Sequence, residues 1–322
     1  MASSSTRLVL ARLLEFTRTA ATVPRNNLSS SSSGIMNVVA FSGGVDSSLA
    51  AWLVRESCAP SAVSVSENVS AVASIGVSPS LPMRELEYAR SVARHIGIDL
   101  VEVPTDEGNV PEYVKNASPG SSCYHCKTTL YRTLGSIESH FEEAGDGGDV
   151  ILFNGTNADD MTDRTRLGLV AAAEHQVISP LANVTKSQVR EIAKHVGLPN
   201  WDRAASPCLR SRLDFGVEAT KRHLEQVERA ENIVRSRLQL EGHENMRVRM
   251  LARGRLVIEV DERRLYAAEN ELGRIIDDLA HSDAQNNANS NSSWANYDRE
   301  SISVRKFKSG SLSKVALPSA AV

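Results

Sequence analysis

A doubly wound, mostly parallel α/β sheet followed by a smaller α+β C-terminal domain is the fold this sequence predicts. Three observations predict it. Apolar, β-branched runs alternate with amphipathic segments from residue 35 to about residue 196, the order expected of a parallel sheet covered by helices on both faces. One junction, Val38-Val39-Ala40-Phe41-Ser42-Gly43-Gly44-Val45-Asp46-Ser47-Ser48, passes from a strand through a glycine pair into a helix. After Pro207 the pattern changes to one long charged helix and two short alternating strands. With 322 residues the chain exceeds the usual size of one domain. The expected boundaries are a leader at 1–34, a first domain at 35–205 and a second at 206–318, with an unstructured Asn/Ser-rich loop near 282–299.

Residues 1–34 carry Arg7, Arg12, Arg18 and Arg25 against one acid, Glu15, and end in a serine run. Leu8, Leu10, Leu13, Leu14 and Phe16 form one face of a short helix. Such an Arg- and Ser-rich, acid-poor amphipathic start reads as a mitochondrial or plastid transit peptide, or else as a disordered tail of a cytoplasmic protein.

The strand at Val38 then feeds the glycine turn. A glycine turn at a helix N-terminus is an anion site, because the first-turn N–H groups are unpaired and the helix dipole favours negative charge. Gly43 and Gly44 let the backbone approach a ligand closely. Ser42, Ser47 and Ser48 add hydroxyl donors. No lysine follows the glycines, so this is not the G-x-x-x-x-G-K-[ST] loop. Further along, the apolar run at residues 69–76 is the second strand. Met83 to Ile96 has helical spacing and stops at Gly97, and residues 98–103 are the third strand. Residues 127–143 are helical, 150–153 form another strand, and 186–196 are again helical. In the second domain a helix at 218–240 turns Leu224, Val227, Val234 and Leu238 inward. Strands at 246–250 and 256–260, a helix at 263–280 and a last strand at 301–308 follow it.

The formal net charge of -3 argues against general nucleic-acid binding. No apolar run is long enough to span a bilayer, so no membrane role is expected. Four cysteines, Cys58, Cys123, Cys126 and Cys208, are too few for a disulfide scaffold. Cys58 reads as a bystander. Cys123-Tyr124-His125-Cys126 has metal-ligand spacing, and with Cys208 it supplies three thiolates without a clear fourth ligand, a set that suits an iron–sulfur cluster with one open iron. Arg203, Arg210 and Arg212 surround Cys208 in sequence. Cationic neighbours lower a thiol pKa and attract a phosphorylated or carboxylated substrate. Arg247 and Arg249 alternate on a strand and so share a face, which suits a phosphate or carboxylate. Asp159, Asp160 and Asp163 are candidates to hold Mg²⁺ between phosphates, Asp160 foremost.

In order along the chain stand the Ser42-Gly43-Gly44-Val45-Asp46-Ser47 loop, Ser78-Pro79-Ser80-Leu81-Pro82, Cys123-Tyr124-His125-Cys126-Lys127, Gly155-Thr156-Asn157-Ala158-Asp159-Asp160, Ser206-Pro207-Cys208-Leu209-Arg210-Ser211-Arg212, Arg247-Val248-Arg249 and Lys308-Ser309-Gly310-Ser311. This set resembles the LarE-type ATP-dependent sulfur transferases, a branch of the PP-loop ATP pyrophosphatases, from about residue 37 to about residue 317. The loop alone is shared with NAD synthetases, GMP synthetases and tRNA thiolases. The Cys208 stretch and the Arg-x-Arg strand carry the narrower resemblance. Two departures are Lys308, where the family has Arg, and Arg210, where a small residue is usual.

The resemblance implies an adenine-nucleotide α-hydrolase-like fold. It also implies an enzyme that uses ATP and Mg²⁺ to adenylate the carboxylate of a pyridinium mononucleotide, releasing pyrophosphate. Sulfur then replaces the adenylate, giving a thiocarboxylate for a nickel-pincer cofactor. Ser42, Gly43, Gly44, Asp46 and Ser47 would bind the nucleotide, with Asp46 and Cys208 catalytic. Arg212, Arg247 and Arg249 would hold the substrate's phosphate or carboxylate. The sulfur would come from Cys208 itself, leaving dehydroalanine, or from a sulfide on a 4Fe-4S cluster held by Cys123, Cys126 and Cys208; with all three cysteines present, the resemblance favours the cluster. The family is typically homo-oligomeric. The rival readings are an amide-forming synthetase of the NAD or GMP type, a tRNA thiolase, and a nucleotide-binding module without catalysis. A synthetase has no use for three thiols, and a tRNA thiolase should be basic.

Overall fold

The computed structural model describes residues 3–23, 34–59, 69–115, 120–137, 149–163, 166–242, 244–286 and 300–308. The serine run at 29–33, residues 287–299 of the Asn/Ser-rich loop, and Ser309-Gly310-Ser311 lie outside the described residues. The chain divides into two compact units, residues 1–107 with 123–205, and residues 108–122 with 206–322.

The first unit is built on a parallel four-stranded sheet. Its strands are β1 (Ile35–Ala40), β2 (Val69–Val77), β3 (Asp99–Pro104) and β4 (Asp149–Phe153), in the order β3-β2-β1-β4. Along β1 the side chains alternate between the two faces. Val39 and Phe41 enter one buried cluster, with α2 (Val45–Cys58), α3 (Met83–Ile96) and α8 (Lys186–His195). Val38 and Ala40 enter another on the opposite face, with α5 (Ser121–Gly135) and α7 (Gly168–Glu174). A sheet covered on both faces makes its central strand largely apolar, which is how β1 reads apart from Asn37. The α3 helix stops at Gly97, whose φ of 75° is the left-handed C-cap geometry that glycine adopts without strain.

Within the stretch expected to be a leader, residues 3–23 form a capped helix packed on the first unit's core. Ser3 caps α1 (Ser4–Thr22) through Thr6 N–H, and Thr6, Leu13, Thr17 and Ala21 form a single buried stripe. Leu13 and Ala21 belong to the same core as α2 and α8. The fully buried Asn37 of β1 donates to Ala21 O at 3.2 Å and to Ser70 O at 3.1 Å, fastening the end of α1 to the sheet. An amphipathic Arg-rich helix looks the same in sequence whether its apolar face meets a receptor or a core. Here Leu13 meets the core with Leu10 and Leu14 packed against it, while Leu8 and Phe16 of the expected face stay exposed.

A second difference concerns α5. It begins at Ser121, six residues before the expected start at 127, so Cys123 and Cys126 lie one turn apart at its N-terminal end.

The second unit holds a three-stranded sheet, ordered β5 (Met246–Met250), β6 (Leu256–Val260) and β7 (Ile302–Lys306), antiparallel then parallel. The helices α9 (Lys221–Leu238) and α10 (Leu265–Asn286) belong to it, with the short α4 (Pro111–Lys115). Leu224, Val227, Val234 and Leu238 are the buried apolar stripe of α9. Every residue of β5 is buried, so neither of its faces is a solvated one.

Candidate active site

In the first unit the glycine turn lies at the carboxyl end of β1. Gly43 has φ of 69°, a left-handed conformation that other residues rarely adopt, and a Cβ there would stand 2.9 Å from Ala89 Cα. Gly44 is the N-cap of α2 and offers no capping side chain, so the helix N-terminus stays open for an anion. The serines tighten the turn. Ser47 Oγ donates to Gly44 O at 3.0 Å, accepts from Ser42 N–H at 3.2 Å and lies 3.0 Å from Ser42 Oγ. Ser48 is turned inward and fully buried, away from any ligand.

Asp46 occupies the first turn of α2. Its carboxylate accepts from Asn157 Nδ2 at 3.0 Å and is ion-paired with Lys186 Nζ. Asn157 caps α6 (Ala158–Thr162), and Lys186 opens α8. The loop from β4 passes directly under α2. A Cβ on Gly155 would stand 2.5 Å from both the carbonyl carbon of Asp46 and the nitrogen of Ser47. Asn154 fixes that loop, accepting from Thr156 N–H at 3.0 Å and from Ser179 Oγ at 2.7 Å. Neither Asn157 nor Lys186 carries a role in the sequence reading, because nothing periodic marks a side chain that reaches a loop 111 or 140 residues away.

Asp160 is engaged otherwise. It completes a capping box with Asn157 and pairs with Arg166 at 2.8 Å. Asp159 accepts from Lys186 N–H at 3.0 Å. Asp46 is the carboxylate placed on the glycine loop itself. Magnesium usually takes one or two carboxylates together with substrate phosphates, so Asp46 fits it.

The second unit displays Cys208. The thiol is exposed, and the residue caps a 3-10 turn, Leu209–Arg212. Arg212 is almost fully buried and holds this turn from inside. Its Nη1 donates to Cys208 O at 3.0 Å and also to Pro207 O. Its other edge is bidentate to Glu231 of α9, at 2.8 and 3.2 Å. Burial raises the Glu231 pKa, but the charge and hydrogen bonds of Arg212, with Arg247 beside them, outweigh it and hold the carboxyl below its ordinary value. Arg249 pairs with Glu259 at 2.7 Å and donates to Ser211 O at 2.9 Å, so β5 is tied directly to the Cys208 turn. Arg247 is buried beside these groups. Burial first, then repulsion from Arg212, pushes its pKa down to about 10, against the pull of Glu231. Arg203 belongs to the first unit, where it is bidentate to the buried Glu85 at 2.8 and 3.1 Å and lies 3.7 Å over the Tyr88 ring.

The three candidate cluster ligands fall in different units, Cys123 and Cys126 in the first and Cys208 in the second. Among the described residues no group of three or more His, Cys, Asp or Glu side chains is gathered to hold a metal ion. Burial pushes the Cys58 thiol up to about 11, despite a hydrogen bond from Asn37, so it is a poor nucleophile.

The asparagine synthase family pattern matches residues 37–119, which hold the glycine loop, β2 and β3. Over 242 residues the chain is 36% identical to the uncharacterized protein slr1717 of Synechocystis, covering 74% of this chain and 82% of that protein. Over 200 residues it is 32% identical to the pyridinium-3,5-bisthiocarboxylic acid mononucleotide synthase of Lactiplantibacillus plantarum, covering 62% of this chain and 66% of that enzyme. Among solved structures, the NH3-dependent NAD synthetase of Campylobacter jejuni aligns with a TM-score of 0.41 and 14% identity, over 60% of this chain and 74% of that one.

Proposed function

This chain belongs to the LarE-type family of PP-loop ATP pyrophosphatases, and from that membership we propose that it adenylates the carboxylate of a nucleotide-like substrate and exchanges the adenylate for sulfur. The observation that carries the proposal is the Asp46 carboxylate on an open helix N-terminus, bracketed by Asn157 and Lys186. A carboxylate beside a phosphate is repulsive unless a cation lies between them. Lys186 is such a cation, and Mg²⁺ on Asp46 is another. When bound, Mg²⁺ would share the charge that develops on pyrophosphate as the α–β bond breaks. The loop N–H groups and Lys186 bind the same leaving group.

The second unit supplies the sulfur. Attack of the Cys208 thiolate on the acyl-adenylate forms a thioester and expels AMP. Removal of the Cys208 α-proton by a base then breaks its Cβ–Sγ bond. The electron pair leaves with the thiocarboxylate, and dehydroalanine stays in the chain, so no oxidant or reductant is needed. Arg212 and Arg249 hold the turn, and Arg247 attracts the substrate's anionic group. By name the Lactiplantibacillus relative makes a pyridinium bisthiocarboxylate mononucleotide, so a pyridinium mononucleotide is the acceptor class we propose, with a nickel-pincer cofactor as its use. The second sulfur reading is a 4Fe-4S cluster. It is favoured by Cys123 and Cys126 lying one turn apart on α5, but no step is assigned to it. A homo-oligomer, as in the family, completes the proposal.

Intact-mass and peptide analysis after one turnover tests the sulfur step. Loss of one sulfur at Cys208 is the expected result. An unmodified Cys208 with repeated turnover on added sulfide would replace it with the cluster.

A further inference from the structure

We propose that Asn200 is a positioning residue of the phosphate loop, an assignment that rests on the nucleotide reading above. Asn200 is fully buried, five residues past the end of α8. Its Nδ2 donates to Gly43 O at 2.8 Å and to Ser48 Oγ at 2.9 Å, while its Oδ1 has no hydrogen-bond partner. The orientation is fixed by chemistry, since Gly43 O can only accept and the amide must turn its NH₂ toward it.

The consequence follows from the geometry of a trans peptide, in which carbonyl and N–H point in opposite directions. Holding the Gly43 carbonyl inward aims the Gly44 N–H outward, at the open N-terminus of α2. That N–H makes a contact of 3.4 Å to Ser42 Oγ, at the long limit of a hydrogen bond, so it can turn to a better acceptor. Gly43 in its left-handed conformation has no side chain to hold the peptide, and the atoms nearest its missing Cβ belong to Ala89. The Asn200 amide is therefore what selects this peptide orientation over the flipped one, which would point a carbonyl at the pyrophosphate.

The residue is itself held firmly. Arg190 donates to Trp201 O at 2.7 Å and to Arg203 O at 3.0 Å, Lys194 lies 4.3 Å over the Trp201 ring, and Arg203 is bidentate to Glu85. A side chain on so fixed a segment loses little freedom in making its two bonds, which is what a positioning group requires. No sequence signal marks it, since it stands 157 residues from Gly43.

The test uses the full chain with Mg²⁺ and either inorganic pyrophosphate or ATP, titrated calorimetrically beside thermal unfolding. Asn200→Ala should weaken both ligands by about tenfold or more, the loss of one well-oriented backbone donor to a charged group. Asn200→Asp keeps the shape and separates positioning from packing. As a carboxylate it repels Gly43 O, and when protonated it again offers one donor. Its affinity relative to wild type should be low at about pH 8 and recover at about pH 5.5, near or below the raised pKa of a buried carboxyl among acceptors. Asn200→Ala should show no such recovery. Wild type that binds while either variant stays within about twofold of it overturns the assignment and leaves the nucleotide reading standing. An Asn200→Asp deficit equal at both pH values also overturns it, as packing alone. Wild type that binds neither ligand overturns both.

Discussion

Gly155 lies directly beneath Asp46, so that a Cβ on it would stand 2.5 Å from the Asp46 carbonyl carbon. The loop after β4 and the first turn of α2, which follow adjacent parallel strands, thus touch backbone to backbone at the candidate phosphate site. Backbone on both sides of the contact leaves no flexible side chain to yield. Gly155→Ala should push α2 outward by breaking that contact, at an overpacking cost of about 1–3 kcal/mol. ATP affinity, read by calorimetry, should fall by about tenfold or more, since the loop and Asp46 move together. A variant that binds ATP like wild type would show that this contact does not set the loop.

The N-terminal helix offers a second prediction. Leu13 is 7% exposed within the first unit's core. Leu13→Ala should cost about 2–5 kcal/mol of stability, the range for large-to-small core changes. Removal of residues 1–22 should lower the melting temperature further and expose α2 and α8. Unchanged melting on truncation, with a full-length fusion delivered to an organelle and shortened there, would restore the transit-peptide reading.

Acid should loosen the second unit. Hydrogen bonds from Arg264, set against burial, hold the Glu244 carboxyl down to about 2, well below its usual 4.5. A carboxyl whose folded pKa is depressed stabilises the fold above its unfolded pKa, and the contribution is lost as pH falls through the folded one. The unfolding transition of wild type should therefore drop as pH goes from about 4.5 toward about 2, by more than in Glu244→Gln. Equal pH slopes in the two proteins would refute that role.

How much of this was legible in the sequence depends on the range of the interaction. The strand-turn-helix at Val38 to Val54 is local, with apolar alternation on the strand, glycines at the turn and helical spacing after it, and β1 and α2 follow it. The α3 helix and its Gly97 cap were legible for the same reason. Glu231 was not, because a glutamate in a charged helix looks solvent-facing until Arg212 is found against it. Lys186 and Asn200 were equally invisible, and Asn157 stood in a quoted motif without its partner, all three being polar side chains that act across more than a hundred residues. The packing of α1 was not legible either, because its arginines and leucines satisfy two physical purposes at once.

The central claim is carboxylate activation with cleavage between the α and β phosphates of ATP. Phosphorus NMR of the full-length protein with ATP, Mg²⁺ and a pyridinium mononucleotide carboxylate tests it most directly. AMP and pyrophosphate should appear in equal amounts, only when the carboxylate is present, and not in Asp46→Ala. Release of ADP and phosphate, or ATP bound and left intact, would contradict the account.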